Sequence, residues 1–172
     1  MLDKNISDVD WNTSDDVIVY AGCGSKSNYP KQIKVVETIK KKLDQEKKIN
    51  GKYIAGHFRN TDIRNDIEEF IGRVKEAMHK TGITLFYLAT DDSTAREKIE
   101  NAIPNIHIVQ HTFPPPNICN LHYASKDKYK QVYECLRDIY FLLPSDVFIR
   151  SYNTGMSDLI IDMRNHKYSF FD

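Results

Sequence analysis

The sequence lacks an excess of charge of either sign. Its 172 residues include 24 Lys and Arg against 24 Asp and Glu, so the formal net charge at neutral pH is zero. Proteins that bind nucleic acid or an anionic membrane through their overall field carry a clear basic excess or a basic tract. We therefore expect no nucleic-acid partner, and we expect any bound anion to be held by a local arrangement of side chains.

The sequence also lacks paired cysteines and long apolar runs. Cys23, Cys119 and Cys135 are far apart and show no CxxC spacing, which argues against a disulfide framework or a structural zinc site. No apolar run approaches the roughly 18 residues that span a bilayer. The first residues, MLDKNISDVDWNTSDD, are polar and acidic, unlike a signal peptide. These features predict a cytoplasmic protein with no membrane span.

Neither common phosphate-binding loop is present. The glycine turn YAGCGS at 20–25 matches neither GxGxxG nor GxxxxGK[ST]. What the sequence does contain is an alternation of short apolar runs and longer segments of helical period, a pattern typical of βαβ units. The length and even composition predict a single domain over residues 1–172.

The alternation predicts the positions of the main elements. We expect strands at 17–20, 53–58, 83–89, 106–109 and 146–150. We expect helices over 31–43 and 66–78, a third from an N-cap at Ser93, and a fourth over 128–143, ended by Pro144. The segment 111–126 has no period and is either a lid or an anchored loop. Together these elements predict an α/β, Rossmann-like fold with a mainly parallel sheet and helices on both faces.

Polar residues follow several of these strands. They are the runs HFRNTD at 57–62, ATDD at 89–92, RSYNTG at 150–155 and, after the first predicted strand, SKSN at 25–28. Ligands of open α/β sheets bind beyond the carboxyl ends of the strands. The pattern therefore predicts a binding site at that edge.

Arg59 is the sharpest candidate in these runs. A guanidinium presents a planar fork of donors that stays charged, fits two phosphate oxygens and stabilises the charge that develops on a leaving diphosphate. The alternative is a surface salt bridge with Asp62 or Asp92. We expect Asp62 to orient Arg59 or to cap the following turn.

Three runs taken together resemble a known family. YIAGHFRNTD, LFYLATDD about thirty residues on, and CLRDIYFLLPSDVFIRSYNTGMS are similar in order, spacing and residue type to the C-terminal half of the α1,6-fucosyltransferases and bacterial nodulation fucosyltransferases. The resemblance to the protein O-fucosyltransferases is more distant. It covers residues 50–165 and implies one half of a GT-B fold, which binds a GDP-sugar such as GDP-fucose for inverting, metal-independent transfer to a glycan or protein hydroxyl.

The resemblance also implies roles for single residues. Arg59 corresponds to the arginine that grips the diphosphate, and His57 to a histidine that lies against the nucleotide. Asp138 would accept hydrogen bonds from the paired N–H donors of guanine. The alternatives are a packed core histidine at position 57 and, for Asp138, a solvated helix face paired with Arg137 or Lys130.

Asp91 and Asp92 raise the question of a metal, because many glycosyltransferases bind Mg²⁺ or Mn²⁺ through Asp-x-Asp. Here the two acids are adjacent, which is a different geometry. The resemblance implies that no metal or other cofactor is needed and that one of the two contacts the ribose or steadies Arg59. Asp92 could instead assist the helix that begins beside it.

Ser151, Asn153 and Thr154 lie at the start of the last predicted helix, where hydroxyls and free backbone N–H groups favour phosphate. Thr154 corresponds to a serine that contacts phosphate in the family. Ordinary N-capping by Asn153 or Thr154 explains the same residues.

The pattern departs from the family in three places. Asn60 stands where the vertebrate-type enzymes have a second arginine. The segment that carries their candidate catalytic glutamate has no counterpart, so the general base is unassigned, and Asp66 is the nearest substitute by position alone. The N-terminal, acceptor-binding half has no counterpart either, so we expect the acceptor to bind a separate or missing domain. The alternatives are a GDP-binding module without turnover and an unrelated flavodoxin-like domain.

Overall fold

The computed structural model of the protein describes residues 34–46, 49–115 and 127–171. Within these residues the chain forms, in order, α1 (Glu37–Gln45), β1 (Ile54–Phe58), α2 (Ile67–Thr81), β2 (Leu85–Thr90), α3 (Ala95–Ala102), β3 (His107–Val109), α4 (Lys128–Leu142), β4 (Val147–Ile149) and α5 (Gly155–His166). The predicted strand at 17–20, the run SKSN and residues 116–126 of the long segment lie outside the described residues.

The four strands form one parallel sheet in the order β3-β2-β1-β4. Ile54 of β1 pairs with Phe86 on one side and with Val147 of β4 on the other. The chain steps outward from β1 to β3 and then crosses back to the far side of β1, so the strand order reverses next to β1. Such a reversal opens a crevice at the carboxyl ends of the strands. The predicted Rossmann-like α/β fold is confirmed.

Helices cover both faces of this sheet, because successive strand residues point to opposite sides. On one face α2 and α3 pack through a core that includes Ile54, Phe58, Phe70, Val74, Phe86, Leu88 and Ile99. On the other face α1, α4 and α5 pack through a core that includes Leu43, Tyr53, Ala55, Tyr87, Ile139, Leu142, Ile160 and Met163. The strands are buried on both faces, which explains why they appear in the sequence as continuous apolar runs.

Gly56 lies at the point of closest approach between β1 and the aromatic side chains above it. A Cβ at this position would lie 2.6 Å from the Phe86 ring and 2.8 Å from the Phe70 ring. Both rings therefore pack directly over the β1 backbone. This close packing holds the strand end from which His57 and Arg59 project.

The predicted helix α1 begins later than the sequence indicates. Residues 34–36 are not helical, and Val36 has an extended conformation, with φ −61° and ψ 146°. The backbone N–H of Val35 instead donates to the carbonyl of Phe170 at 2.8 Å. The predicted period does identify the apolar residues that α1 buries. The turn predicted before them does not form, because the backbone there bonds the C-terminal end of the chain instead.

The predicted N-cap at Ser93 is wrong. Helix α3 begins at Ala95, with Thr94 in the cap position. Oδ1 of Asp92 accepts hydrogen bonds from both N and Oγ1 of Thr94 at 2.8 Å. A local turn around Asp92 therefore precedes the helix and delays its start, as short acidic side chains commonly do.

No helix within the described parts of the chain is long and apolar enough to cross a membrane.

Candidate functional site

A cavity of about 550 Å³ lies at the carboxyl ends of β1 and β2, between the strand ends, the segment after β3 and helix α4. This is the place where open α/β sheets bind ligands, and the volume is within the range of small-molecule sites. Its lining combines polar strand-end residues with an apolar wall: His57, Arg59, Thr61, Ala89, Thr90, Asp91, Thr112, Phe113, Pro114, Pro115, Lys130, Gln131, Val132, Glu134, Cys135, Leu136, Asp138 and Met156.

Arg59 lines this cavity with its guanidinium oriented by carboxylates. Its Nε–H donates to Oδ1 of Asp62 at 2.8 Å, and Nη2 lies 2.6 Å from the same oxygen. Its Nη1 lies 3.8 Å from Oδ2 of Asp91. Desolvation raises the pKa of Asp62, but the hydrogen bond and ion pair with Arg59, together with local backbone hydrogen bonds, outweigh it, so the net shift of the pKa is downward. The expectation that Asp62 orients Arg59 is confirmed, and the ion pair uses Asp62 and Asp91 rather than Asp92.

The loop after β1 is fixed to the loop after β2 by Asp91. Its Oδ1 accepts from the backbone N–H of Asn60 at 2.8 Å, and its Oδ2 accepts from Oγ1 of Thr61 at 2.6 Å. Asp92 joins the same arrangement, because its Oδ2 accepts from Nδ2 of Asn60 at 2.9 Å. Both carboxylates thus stabilise the segment that carries Arg59. A contact with ribose stays a prediction.

Asn60 connects the ends of two neighbouring strands through its side chain, because its Nδ2 donates to Oδ2 of Asp92. The structure thus uses Asn60 to join two strand ends, a role that the sequence did not reveal because Asp92 lies 32 residues away.

A second set of hydrogen bonds joins the loop after β1 to the loop after β4. The backbone N–H of Arg59 donates to Oγ of the fully buried Ser151 at 3.0 Å. Asn65 donates from Nδ2 to the Arg59 carbonyl at 2.9 Å and accepts at Oδ1 from the N–H of Tyr152 at 3.0 Å. Ser151 therefore positions Arg59 from behind. Sequence reasoning missed Asn65 entirely, because nothing in its local context distinguishes it from an ordinary loop amide.

Thr154 and Asn153 form the start of α5. Oγ1 of Thr154 accepts from the N–H of Ser157 at 3.3 Å, so the capping alternative is confirmed for Thr154. Asn153 adopts a left-handed conformation with φ 57°. Ser151, Asn153 and Thr154 do not line the cavity, which Met156 reaches from this helix. Direct phosphate binding by the three stays a prediction that the cavity geometry does not favour.

His57 is buried at the floor of the cavity. Its Nδ1 lies 2.9 Å from Oγ of Ser157, within hydrogen-bonding distance. Burial, together with the positive charge of Arg59, lowers the pKa of His57 to about 4. A neutral imidazole therefore lies beside the guanidinium at physiological pH. The interpretation of His57 as a packed core residue is confirmed, and the residue also lines the cavity, whereas contact with a nucleotide stays a prediction.

Asp138 is buried in the wall of the cavity, with only 6% of its surface exposed. Its Oδ1 accepts from the hydroxyl of Tyr87 at 2.7 Å and from Oγ1 of Thr112 at 3.3 Å. Burial raises the pKa of Asp138 to about 7, although the hydrogen bonds and the charge of Arg137 oppose the shift. The alternative of a solvated helix face paired with Arg137 or Lys130 is wrong.

The wall opposite the strand ends is mainly apolar. Phe113, Pro114 and Pro115 follow β3, and Val132 and Leu136 project from α4. The Phe113 side chain is 63% exposed. An apolar wall beside a few polar groups is typical of sites for flat ring systems.

Asp66, predicted as a possible general base, has a different position. Its Oδ1 accepts from the backbone N–H groups of Glu68 at 2.8 Å and Glu69 at 3.5 Å, which makes it the N-cap of α2. It is exposed and does not line the cavity. The assignment by position alone is not supported, because the carboxylate of Asp66 caps α2.

Across residues 34–46, 49–115 and 127–171, no group of three or more His, Cys, Asp or Glu side chains is placed to bind a metal ion. No protein-family model matches the chain, and no curated protein matches its sequence. The fold and the site define an α/β protein of Rossmann-like architecture with a ligand-sized cavity at the carboxyl edge of its parallel sheet.

Proposed function

We propose that the protein binds a GDP-sugar, such as GDP-fucose, in this cavity and acts as the donor-binding part of an inverting, metal-independent glycosyltransferase. The observation that carries the proposal is that a single cavity is lined both by the guanidinium of Arg59 and by the buried carboxylate of Asp138. A nucleoside diphosphate needs both groups, a cation for the diphosphate and an acceptor for the base.

Arg59 is suited to the diphosphate because its orientation is already fixed. Asp62 contacts the Nε and Nη2 side of the guanidinium, so little side-chain entropy is lost when phosphate oxygens bind. When the bond between the anomeric carbon and the diphosphate breaks, the bonding electrons remain on the diphosphate, and Arg59 stabilises that negative charge.

Asp138 is suited to guanine because guanine presents two adjacent N–H donors on one edge, whereas adenine and uracil do not. A single carboxylate oxygen has two lone pairs and can accept from both. Hydrogen bonds to a charged group in a buried site are stronger than those in water, and an imperfect partner leaves the carboxylate unsatisfied. Asp138 would therefore select guanine strongly against the other bases.

The transfer itself requires a base to remove the proton of the acceptor hydroxyl. Asp66 caps α2 away from the cavity, so it does not meet this requirement in the described geometry. The described residues support donor binding better than complete catalysis. This observation favours the second candidate function, a GDP-binding module that needs a partner or a further domain for turnover.

The first experiment is a binding panel of GDP, GMP, UDP and ADP, measured by thermal shift and calorimetry. We expect GDP to raise the melting temperature most, GMP to raise it less, and EDTA to change nothing. Arg59→Ala should abolish the advantage of GDP over GMP. The matched control is Arg96→Ala, which removes a half-buried arginine that is paired with Glu100 on α3 and does not line the cavity. A GDP shift that survives Arg59→Ala would show that the diphosphate assignment is wrong.

The second experiment separates the two candidate functions. Purified protein is incubated with GDP-fucose and a set of glycan and peptide acceptors, and the release of GDP is measured. Transfer by the chain alone supports a complete enzyme. Tight GDP binding without release of GDP, even at high protein concentration, supports the module.

A further inference from the structure

Tyr87 is held in place at the centre of the sheet. It lies on β2, its side chain is fully buried, and its ring stacks on Phe141 with the centroids 5.1 Å apart. The ring of His111 lies 5.6 Å away on a tilted plane. The hydroxyl position is thus fixed by the strand and by two aromatic neighbours. That hydroxyl donates to Oδ1 of Asp138 at 2.7 Å.

Thr112 supplies a second donor to the same oxygen, and its direction is set by Arg137. Nη2 of Arg137 donates to Oγ1 of Thr112 at 3.2 Å and to the carbonyl of His111 at 2.9 Å. Since Oγ1 of Thr112 accepts from Arg137, its own proton is available for Asp138, 3.3 Å away. The chain of donors runs from Arg137 through Thr112 to the carboxylate.

Both donors end on Oδ1 of Asp138. Among the described residues, no donor is within hydrogen-bonding distance of Oδ2. A carboxylate with one oxygen held by two fixed donors cannot rotate without losing both hydrogen bonds. Asp138 lines the cavity, so the held orientation leaves Oδ2 as the acceptor for a ligand.

We infer that Tyr87 and Thr112 are positioning residues that determine base specificity: by holding Oδ1 of Asp138, they favour the charged carboxylate and turn Oδ2 toward a ring that carries adjacent N–H donors. This inference rests on the proposed function and names residues beyond Asp138 itself. Removal of either hydroxyl should weaken guanine recognition without altering the diphosphate contact of Arg59.

The groups that face Asp138 fix the expected direction of its titration. They are Tyr87 from β2, His111 and Thr112 from the segment after β3, Glu134, Cys135 and Arg137 from α4, and Glu46 through its ion pair with Arg137. Burial raises the pKa of Asp138, whereas Tyr87, Arg137 and Thr112 lower it. Loss of the Tyr87 hydroxyl therefore shifts the pKa of Asp138 further upward.

The first test uses the protein without nucleotide. The carboxyl carbon of Asp138 is followed by ¹³C NMR from pH 5 to pH 9, with Asp138→Asn to assign the signal. Loss of a hydrogen bond to a charged group corresponds to an upward shift of about one pH unit or more in Tyr87→Phe. Tyr140→Phe is the matched control, because its hydroxyl also donates to a carboxylate, Asp44, at 2.6 Å, but away from the cavity. It should leave the titration of Asp138 unchanged.

The second test measures the ratio of GDP to ADP affinity at pH 7 by calorimetry. We expect Tyr87→Phe to lower GDP affinity about tenfold, with a smaller loss at pH 8.5, while ADP affinity stays the same. Thr112→Val keeps the side-chain shape and lies on an irregular segment, so it provides a second variant if Tyr87→Phe folds poorly. It should change the ratio in the same direction, and Tyr140→Phe should not change it.

The possible outcomes separate the two proposals. If GDP binds in preference to ADP but Tyr87→Phe and Thr112→Val change neither the titration nor the affinity ratio, the inference is overturned and the proposed function stands. If no nucleotide binds to the wild-type protein, the proposed function is overturned, and the specificity role with it.

Discussion

The backbone N–H of Asn60 donates to Oδ1 of Asp91 at 2.8 Å, so the ends of β1 and β2 are joined directly beside Arg59. The register of the two strands brings this pair together, since Phe58 pairs with Thr90 at the last step of the ladder. The site thus depends on the carboxylate of Asp91, which accepts hydrogen bonds from two donors, the N–H of Asn60 and Oγ1 of Thr61.

Asp91→Asn should weaken the link between the ends of β1 and β2. An amide has a single acceptor oxygen, so its NH₂ group would face one of the two donors that the carboxylate now accepts from. We expect a loss of about 1–3 kcal/mol in the free energy of unfolding, measured by urea denaturation. GDP affinity should fall as well, because the segment that carries Arg59 loses its support. Glu97→Gln, which changes an exposed carboxylate on α3, is the control and should have little effect on either measurement. Unchanged stability in Asp91→Asn would contradict the structural role.

Gly56→Ala should destabilise the fold by roughly 1–3 kcal/mol, because the added methyl group meets the rings of Phe86 and Phe70. Gly72→Ala is the matched control. Gly72 lies on α2 with nothing within 4 Å of the added Cβ, so this change should stabilise the helix by about 0.5–1 kcal/mol. Opposite signs for the two variants are expected in thermal and urea unfolding. Equal effects would show that the rings do not pack over β1 as described.

His57 should make the protein sensitive to acid. Its pKa in the folded state, about 4, is below the unfolded value of about 6.5, so the unfolded state binds the proton first as pH falls. The stabilisation is complete above pH 6.5 and is lost as pH falls toward 4. Between pH 7.5 and pH 5 the wild-type protein should lose about 2 kcal/mol more than His57→Asn, in which the amide replaces Nδ1 beside Ser157.

The control for this pH dependence is His79→Asn on the exposed side of α2. It should follow the wild-type protein at both pH values. If His57→Asn and the wild-type protein lose the same free energy, the imidazole is not held neutral by burial.

Asp138 should make the protein less stable as pH rises, the opposite of the effect of His57. Its folded-state pKa, about 7, is raised above the unfolded value, so the folded state binds the proton more tightly and stability is lost as pH rises from about 4 through 7. The stability of Asp138→Asn relative to the wild-type protein should increase by about 2–3 kcal/mol between pH 5 and pH 8 in urea titrations. Asp44→Asn is the control, because Asp44 also accepts from a tyrosine but is exposed. A constant difference across this range would mean that Asp138 is not desolvated.

The fold class could be predicted from the sequence because the patterns that indicate it lie within short segments. Runs such as IAGHF and LFYLAT are mostly apolar and do not alternate with polar residues, and strands of that kind need helices on both faces. The polar residues after them had to meet at one edge, because parallel strands end on the same side. Arg59, His57 and Asp91 were found in this way.

What the sequence could not supply were contacts between distant segments. Tyr87 and Asp138 are 51 residues apart, and Asn65 and Tyr152 are 87 apart, so neither pairing leaves a periodic trace. The carboxylate of Asp66 was assigned by proximity in sequence to Arg59, but a capping position at the start of α2 turned it to the backbone of that helix. A local turn around Asp92 likewise moved the start of α3 from the predicted cap at Ser93 to Ala95.

The amide of Asn65 affects whether the segment between β1 and α2 can accept an insertion. It bonds both the Arg59 carbonyl and the N–H of Tyr152, so it attaches the segment between β1 and α2 to the loop after β4. An inserted segment at this point would break these hydrogen bonds and separate Arg59 from the β4 loop. We therefore expect an insertion at this link to weaken the attachment of Arg59 to the loop after β4.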